Sequence, residues 1–264
     1  MIGEDIYYPG NPVTLRKQLQ SAFLESATVG MSAAVTVCPY GAYRYSLRYI
    51  TDSLKATGPE RPDVVVVLAP SHTESSDEVL MPESDLFATP LGVLRVDTDA
   101  LNTLRETCRH FVDDEFAHLQ NHSIEVLLPA LHYYYGAIPI VPLLVGTLQR
   151  EQLISIADAL LRLHGERTIQ VVVAANLSGF TAPAEADATA RKMIRLVMTA
   201  PGQSVVDNLA TFEDPPRSAW PLVLGHIVAG TGTRPHILSR GTFDTEYEHD
   251  VGSVVFSSIA YLKT

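Results

Sequence analysis

The sequence predicts an α/β fold, a single three-layer αβα sandwich with a mainly parallel central sheet that spans residues 1–264 as one domain. Two runs, residues 64–69 and 169–175, carry this prediction because they are almost continuously apolar. Such runs are typical of strands buried on both faces of a parallel sheet. Segments with helical spacing of apolar residues separate them, and right-handed connections place such helices on both faces of a sheet.

The first third of the chain predicts helices and strands in alternation, followed by a hairpin. Apolar residues recur at helical spacing over residues 15–23 and 43–54, and a short apolar run at residues 33–38 predicts a strand between them. The Pro-Leu-Gly triplet at residues 90–92 predicts a hairpin over residues 87–96. Proline donates no backbone hydrogen bond, so this hairpin is expected at a sheet edge.

The rest of the chain continues the alternation, apart from an acidic stretch at residues 113–115 that we expect to be irregular. Predicted helices cover residues 99–110, 122–135, 153–163, 184–198 and 221–229, and predicted strands cover residues 138–145, 169–175, 236–238 and 251–259.

Composition and charge argue against several classes of protein. Apolar residues make up 46% of the chain, enough for a large core, and the apolar runs are far shorter than the ~20 residues of a membrane-spanning helix. The net charge of −11 argues against a nucleic-acid partner. Cys38 and Cys108 make no disulfide framework, and the N-terminal residues, with Glu4 and Asp5, do not resemble a signal peptide. We therefore expect a cytoplasmic protein without membrane insertion.

Polar side chains follow three of the predicted strands. Tyr40 and His72 come two or three residues after the first two strands, and Asn176 directly follows the strand at residues 169–175. Open α/β sheets bind ligands at the carboxyl ends of their strands. The sequence therefore predicts a ligand site at this edge of the sheet.

Six segments, in the same order along the chain, resemble the motifs of one protein family. Residues 121–125 (Asn-His-Ser-Ile-Glu) resemble its E-H-S-I-E motif, and residues 69–72 (Ala-Pro-Ser-His) resemble its G-P-S-H motif. Residues 8–12, 38–43, 85–92 and 142–146 resemble its Y-P-x-x-P, P-H-A-G-Y, hairpin and P-x-L-V-G elements. Together they resemble the Memo family, also called AmmeMemoRadiSam system protein B. This resemblance implies a fold similar to that of the class III extradiol dioxygenases, which hold non-haem iron in an αβα sandwich.

The resemblance also implies a metal-site triad of two histidines and a cysteine, of which this sequence retains one residue. His72 keeps its place, whereas Tyr40 stands where the P-H-A-G-Y motif has histidine, and Arg217 stands at about the position of the cysteine. The family's S-D-F-C-H element becomes residues 175–179. There, Asn176 replaces the aspartate, and a glycine replaces the histidine that corresponds to the dioxygenase base.

These replacements change the chemistry that the site can support. A non-haem iron site needs three donor side chains on one face of a cavity. The guanidinium of Arg217 cannot lose its proton, and the phenol of Tyr40 has an ordinary pKa of about 10. The sequence therefore predicts no bound metal or other cofactor and no catalytic residue. Two alternatives stay open: a rearranged site of His72, His122 and Glu125 that holds iron or another divalent transition metal in a dioxygenase-like oxidoreductase, and a metal-free enzyme that uses His72 and Tyr40.

A polar pocket is the positive expectation. Losing a cation and gaining an arginine leaves a neutral-to-positive site that suits a small carboxylate or phosphate. We expect a non-catalytic binding or scaffold protein whose partner is a small anion or another protein, and self-association into a homo-oligomer also stays open. The candidate pocket residues are Tyr40, Tyr43, His72, His122, Glu125, Asn176 and Arg217. Each residue also has a structural alternative. His72 could cap the turn after its strand, His122 and Glu125 could form a hydrogen-bonded pair at a helix start, and Tyr40 and Tyr43 could only fill space.

Overall fold

Strands and helices alternate along the chain in the computed structural model, which describes residues 3–28, 30–72, 76–163, 167–247 and 250–264. Its strands are β1 (Val35–Cys38), β2 (Val64–Pro70), β3 (Val79–Met81), β4 (Leu86–Thr89), β5 (Gly92–Arg95), β6 (Phe111–Asp113), β7 (Ile140–Val145), β8 (Ile169–Ala174), β9 (Thr233–Tyr247) and β10 (Asp250–Lys263). Its α-helices are α1 (Pro12–Glu25), α2 (Tyr43–Lys55), α3 (Thr98–Thr107), α4 (Glu115–Gln120), α5 (His122–Glu125), α6 (Leu128–Tyr135), α7 (Arg150–Arg162), α8 (Pro183–Thr199), α9 (Val205–Leu209) and α10 (Ala219–Ala229).

Eight of the strands form the central sheet, in the order β6-β3-β7-β2-β8-β1-β10-β9. The four central strands, β7, β2, β8 and β1, run parallel to one another, and the register of β2 on β8 places Val66 opposite Val171. Antiparallel pairs lie on either side of this parallel group. Both apolar runs, residues 64–69 and 169–175, thus lie at the centre of a mostly parallel sheet, as predicted. The predicted hairpin is also confirmed, as a separate β4–β5 ribbon.

Helices pack on the sheet to complete the three layers. α2 packs against β1, β9 and β10 and contacts α1 and α6, whereas α10 packs across β1, β2 and β8 and contacts α7, α8 and α9. The α/β fold class predicted from the sequence is confirmed. None of the helices in the described ranges is long and apolar enough to cross a membrane.

The sequence explains why the centre of the sheet is the most buried part of the molecule. Every residue of β2 and β8 is buried, which fits their lack of polar alternation. Valine side chains have few χ1 rotamers to lose and pack well on a pleated surface. Because β1, β2 and β8 run parallel, their carboxyl ends meet at one edge of the sheet, where the candidate site residues follow.

Two predictions between residues 110 and 135 were wrong in detail. The acidic stretch at residues 113–115 is not irregular: it contains the end of β6 and the start of α4, because β6 pairs with β3 and Asp114 caps α4 by accepting from the backbone amide of Ala117 at 2.9 Å. The single helix predicted over residues 122–135 is divided into α5 and α6. Pro129, in the first turn of α6, has no backbone N–H to continue the ladder from α5.

The strands near the C-terminus are much longer than predicted. The segments at residues 236–238 and 251–259 belong to the 15-residue β9 and the 14-residue β10, which pair over almost their whole length. β9 lies at the edge of the sheet and is paired on one side only, so it contains many polar residues. A search for apolar runs therefore finds only part of this strand. The three-residue β3 was missed altogether, since it is too short to show a period.

We predict that Gly225 on α10 is required for close packing against the sheet. A Cβ atom there would meet the side chain of Val173 and approach that of Val35. Gly225→Val should therefore lower the free energy of unfolding by about 1–3 kcal/mol, the usual cost of overpacking. Gly232→Val is the control, since a Cβ at that position has open space, and it should change stability by no more than about 0.5 kcal/mol. Equal effects of both substitutions in urea unfolding would contradict this account.

Candidate functional site

Three rings from separate segments meet at the carboxyl ends of the central strands. Tyr40 follows β1, His72 follows β2 and His122 is the first residue of α5. The ring centroids of His72 and His122 lie 5.3 Å apart, with the planes within 2° of parallel. Tyr40 stands at a steep angle to both, 5.9 Å from His72 and 5.8 Å from His122. We call Tyr40, His72 and His122 the ring cluster.

The N-terminal segment extends the ring cluster with a residue that the sequence analysis missed. The ring of Tyr7 stacks on His122, with centroids 4.8 Å apart and planes within 5°. Tyr7, His122 and His72 therefore form three nearly parallel layers. The signal for Tyr7 was its place beside the tyrosine that begins the Y-P-x-x-P element, but no local pattern shows which distant ring it meets.

Both histidines have lowered pKa values and are neutral at neutral pH, although His72 is exposed and His122 is half-buried. Desolvation, followed by the nearby His122 and Arg217, lowers the pKa of His72 to about 4, even though part of its side chain is exposed. Desolvation also lowers the pKa of His122, and the charge of Glu125 opposes this shift only in part. Neutral imidazoles each carry one N–H donor and one nitrogen acceptor. The cluster therefore offers hydrogen bonds of both kinds without a net charge of its own.

Tyr40 is buried, and its phenol also stays neutral. Desolvation raises the pKa of Tyr40, while a hydrogen bond with Ser218 and the positive charge of Arg217 oppose that shift. Because burial dominates, phenolate is strongly disfavoured in this position.

The backbone of Tyr40 is held by Asn176, at the end of the neighbouring strand. The Asn176 Oδ1 atom accepts from the Tyr40 backbone amide at 3.1 Å, and Nδ2 donates to the Tyr40 carbonyl at 3.0 Å. The Ser218 hydroxyl donates to the Asn176 carbonyl at 2.6 Å. Asn176, a predicted pocket residue, thus lies beside the ring cluster, but both polar atoms of its amide bind the Tyr40 backbone. Ser218 was missed because its role depends on contacts far apart in sequence.

Glu125 and Tyr43 lie behind the ring cluster, toward the N-terminal segment. Glu125 Oε1 accepts from the Tyr8 hydroxyl at 2.8 Å and from the Gly3 amide at 3.0 Å. The buried Tyr43 donates its hydroxyl to the Val126 carbonyl at 2.9 Å. These contacts fix the N-terminal segment and α5 against α2, and Tyr43 also lines a different cavity, between α1 and α2.

Arg217 lies at the rim of the ring cluster, just before α10. Its side chain is exposed, and its Nη1 atom donates to the Ser71 carbonyl at 3.5 Å, a long hydrogen bond. Its charge lowers the pKa of both His72 and Tyr40. The site therefore combines neutral rings with a permanent positive charge at one side. Residues 73–75, next to His72, lie outside the described residues.

Groups of three or more histidine, cysteine, aspartate or glutamate side chains placed to hold a metal ion do not occur within the described residues. The two cysteines are both buried, Cys38 as the last residue of β1 and Cys108 at the end of α3.

We predict that His72 makes stability depend on pH between about 6.5 and 4. Histidine in an unfolded chain takes up a proton near pH 6.5, but His72 in the folded protein does so only near pH 4. The unfolded state therefore binds more protons in this window, so the free energy of unfolding falls as the pH is lowered. Urea unfolding at a series of pH values should show a shallower fall for His72→Gln than for the unmodified protein. Identical slopes would mean that the pKa of His72 is not depressed.

Comparisons with known proteins identify the relatives of this chain. A sequence profile described as "Memo-like protein" matches residues 5–211. A MEMO1 family protein of Aeropyrum pernix is 31% identical over 185 residues, which cover 64% of this chain and 64% of that protein. One of Sulfolobus acidocaldarius is 29% identical over 194 residues, which cover 66% and 67% of the two chains. For the relative from Pyrobaculum arsenaticum, the matched part spans 47% of its length, about half.

A solved structure agrees with the fold. The "uncharacterized protein JW3007 from Escherichia coli K12" superposes with a TM-score of 0.59 over 85% of this chain and 98% of that chain, at 18% sequence identity. At this identity the similarity shows a common fold and nothing more. The profile match covers more than half of the chain and confirms the resemblance seen in the motifs: this chain belongs to the Memo family.

Proposed function

We propose that this chain is a non-catalytic Memo-family protein that binds a small anion at the ring cluster. The observation that carries the proposal is the position of Arg217 at the rim, where its guanidinium donates to the carbonyl of Ser71, the residue before His72. A positive charge beside neutral, partly desolvated rings attracts a carboxylate or phosphate more strongly than the same charge in open water. Arginine can also bind such a group through two parallel hydrogen bonds.

The donor set at the strand ends supports an anion rather than a metal ion. A family-type iron site requires three side chains that can each give an electron pair to the metal. Here the chain offers two imidazoles, a phenol whose pKa is raised by burial, and a guanidinium with no lone pair to give. The residues at the positions of the family's ligands do not fit the family-type iron centre, and we derive no reaction step through one.

The neighbouring groups explain how an anion would be oriented. One oxygen pair would face Arg217, while the ring N–H of His72 could donate to the same ligand from the side of β2. Tyr40 would close the opposite wall, held in place by Asn176 and Ser218. Binding and orientation need no proton transfer, which is consistent with the neutral state of all three rings.

One observation favours the rearranged metal site as a second candidate. His72 and His122 are neutral and lie 5.3 Å apart, so two imidazole nitrogens are available for a divalent metal. The third donor of this candidate is Glu125, whose Oε1 atom already accepts from Tyr8 and Gly3. Among the described residues, no three histidine, cysteine, aspartate or glutamate side chains are placed to hold a metal ion together, and for this reason we favour the anion site.

We predict that inorganic phosphate or citrate raises the melting temperature of the protein and that Arg217→Met abolishes most of the shift. A ligand that binds only the folded state stabilises it by mass action. Losing a charge-assisted bidentate contact should cost about 1.5–3 kcal/mol, which is roughly tenfold or more in affinity by calorimetry. The matched control is Arg162→Met, an exposed arginine in the last turn of α7, which should respond like the unmodified protein. Failure of both anions to bind the unmodified protein would refute the anion site.

We also predict that protein purified without a histidine tag contains no stoichiometric iron, zinc or copper by elemental analysis. The reason is that the motif resemblance implies Tyr40 at one of the three family ligand positions and Arg217 at about another. About one equivalent of a transition metal that disappears in both His72→Ala and His122→Ala would instead establish the second candidate and overturn the proposed function.

A further inference from the structure

A second cavity, apart from the ring cluster, lies between α1 and α2 and has a volume of about 730 Å³. β9 closes it on one side, where Leu238 contributes an apolar surface. The charged and amide residues that line it are Gln18, Glu25, Arg44, Arg48 and Asp52. The proposed anion site uses none of these side chains.

One end of the cavity is basic. Arg44 and Arg48 lie one turn apart on α2, both exposed, and both line the cavity. The Arg44 guanidinium lies over the ring of Tyr45 at 4.6 Å from its centroid, and that of Arg48 lies 6.0 Å from the ring of Tyr49. Neither arginine belongs to an ion pair in the part of the chain that the structure describes. Their charges are therefore not neutralised by a contacting carboxylate there.

The other end of the cavity is acidic. Asp52 lies one turn beyond Arg48 on α2 and accepts from the hydroxyls of Ser26 at 2.6 Å and Ser239 at 2.7 Å. Glu25, at the end of α1, accepts only from the hydroxyl of Ser21, at 2.9 Å, among the described contacts. From residue 44 to residue 52 a helix rises by about 12 Å. The charged side chains that line the cavity therefore change from positive to negative along its length, while the Lys55 ammonium, which is not part of the lining, donates to the carbonyls of Phe23 and Ser26 beside the acidic end.

The two helices run side by side in the same direction, so Gln18 lies on the α1 wall toward the basic end. The Tyr43 amide, at the start of α2, donates to the Tyr7 carbonyl shortly before α1, at 2.7 Å. Near the other ends, Lys55 donates to the Phe23 carbonyl at 3.3 Å. The Oε1 atom of Gln18 is buried and has no hydrogen-bond partner in the described structure. An unpaired buried polar atom is unfavourable. Turning the Gln18 amide would place its Nε2 donor at this position, where a ligand carboxylate at the basic end could accept from it.

We propose that this cavity binds a small dipolar molecule that carries a carboxylate at one end and an ammonium group at the other. The carboxylate would meet Arg44 and Arg48, the ammonium would meet Glu25 with Asp52 behind it, and the hydrocarbon chain between them would lie on Leu238. Oppositely charged ends of one ligand match the two ends of the cavity, whereas a simple anion or a simple cation would be repelled at one of them.

Calorimetry with three probes of equal chain length tests the proposal: 6-aminohexanoate, hexanoate and hexylamine. We expect 6-aminohexanoate to bind roughly tenfold more tightly than either singly charged probe, the effect of one additional charge-assisted contact. Arg48→Gln should remove the advantage over hexylamine, and Glu25→Gln should remove the advantage over hexanoate. Arg217→Met, which changes the ring cluster, should leave all three affinities unchanged.

Two results would overturn the dipolar site. One is equal binding of 6-aminohexanoate and hexanoate, which would make the cavity a plain anion site, and the other is no binding of any probe at millimolar concentration. Both substitutions replace exposed side chains, and an unaltered melting temperature of each variant confirms that it is folded. Because the Arg217→Met protein is measured beside them, failure of the proposed function and failure of the dipolar site are distinguishable.

Discussion

The parallel register of β1, β8 and β2 decides where the candidate site lies. It places the residues that follow the three strands at one edge of the sheet, whatever their chemistry. Asn176 then extends the alignment beyond the last ladder hydrogen bond, by matching its amide to both polar groups of the Tyr40 backbone. An aspartate could accept from the Tyr40 amide but could not donate to its carbonyl. Asparagine therefore fixes the Tyr40 backbone through two hydrogen bonds, which aspartate could not do.

A change of charge at the same edge explains the proposed function. The motif resemblance implies that Tyr40 and Arg217 stand where the family has histidine and cysteine, and on the proposed function the strand ends would thereby lose electron-pair donors and gain a permanent cation. Desolvation lowers the pKa of both His72 and His122, so at neutral pH they add no positive charge of their own to that of Arg217. In this account the fold preserves the position of a Memo-family site while the residues there favour a ligand of the opposite sign.

The sequence was informative about the fold wherever burial is complete. Apolar runs predicted β2 and β8 because both faces of the central strands are covered, and helical spacing predicted α1, α2 and α7. Sequence patterns failed for β9, which is an edge strand with polar residues, and at Pro129, where one predicted helix becomes two. The single domain and the cytoplasmic location stay predictions.

The candidate site was less predictable, because it depends on which distant side chains meet. The structure brings together Tyr40, His72 and His122, which the motifs single out, but the motifs gave neither their stacking order nor the insertion of Tyr7. Local sequence also could not show that Glu125 accepts a hydrogen bond from the Tyr8 hydroxyl or that the Tyr43 hydroxyl donates to the Val126 carbonyl. These assignments follow from packing of the N-terminal segment, which no period in the sequence encodes.

Anomalous X-ray diffraction from crystals exposed to both selenate and zinc tests the central claim most directly, because it identifies which ion the strand ends prefer. The account predicts a selenium peak within hydrogen-bonding distance of the Arg217 guanidinium and no zinc peak between His72 and His122. A zinc peak coordinated by both imidazoles, with no selenate beside Arg217, would contradict it.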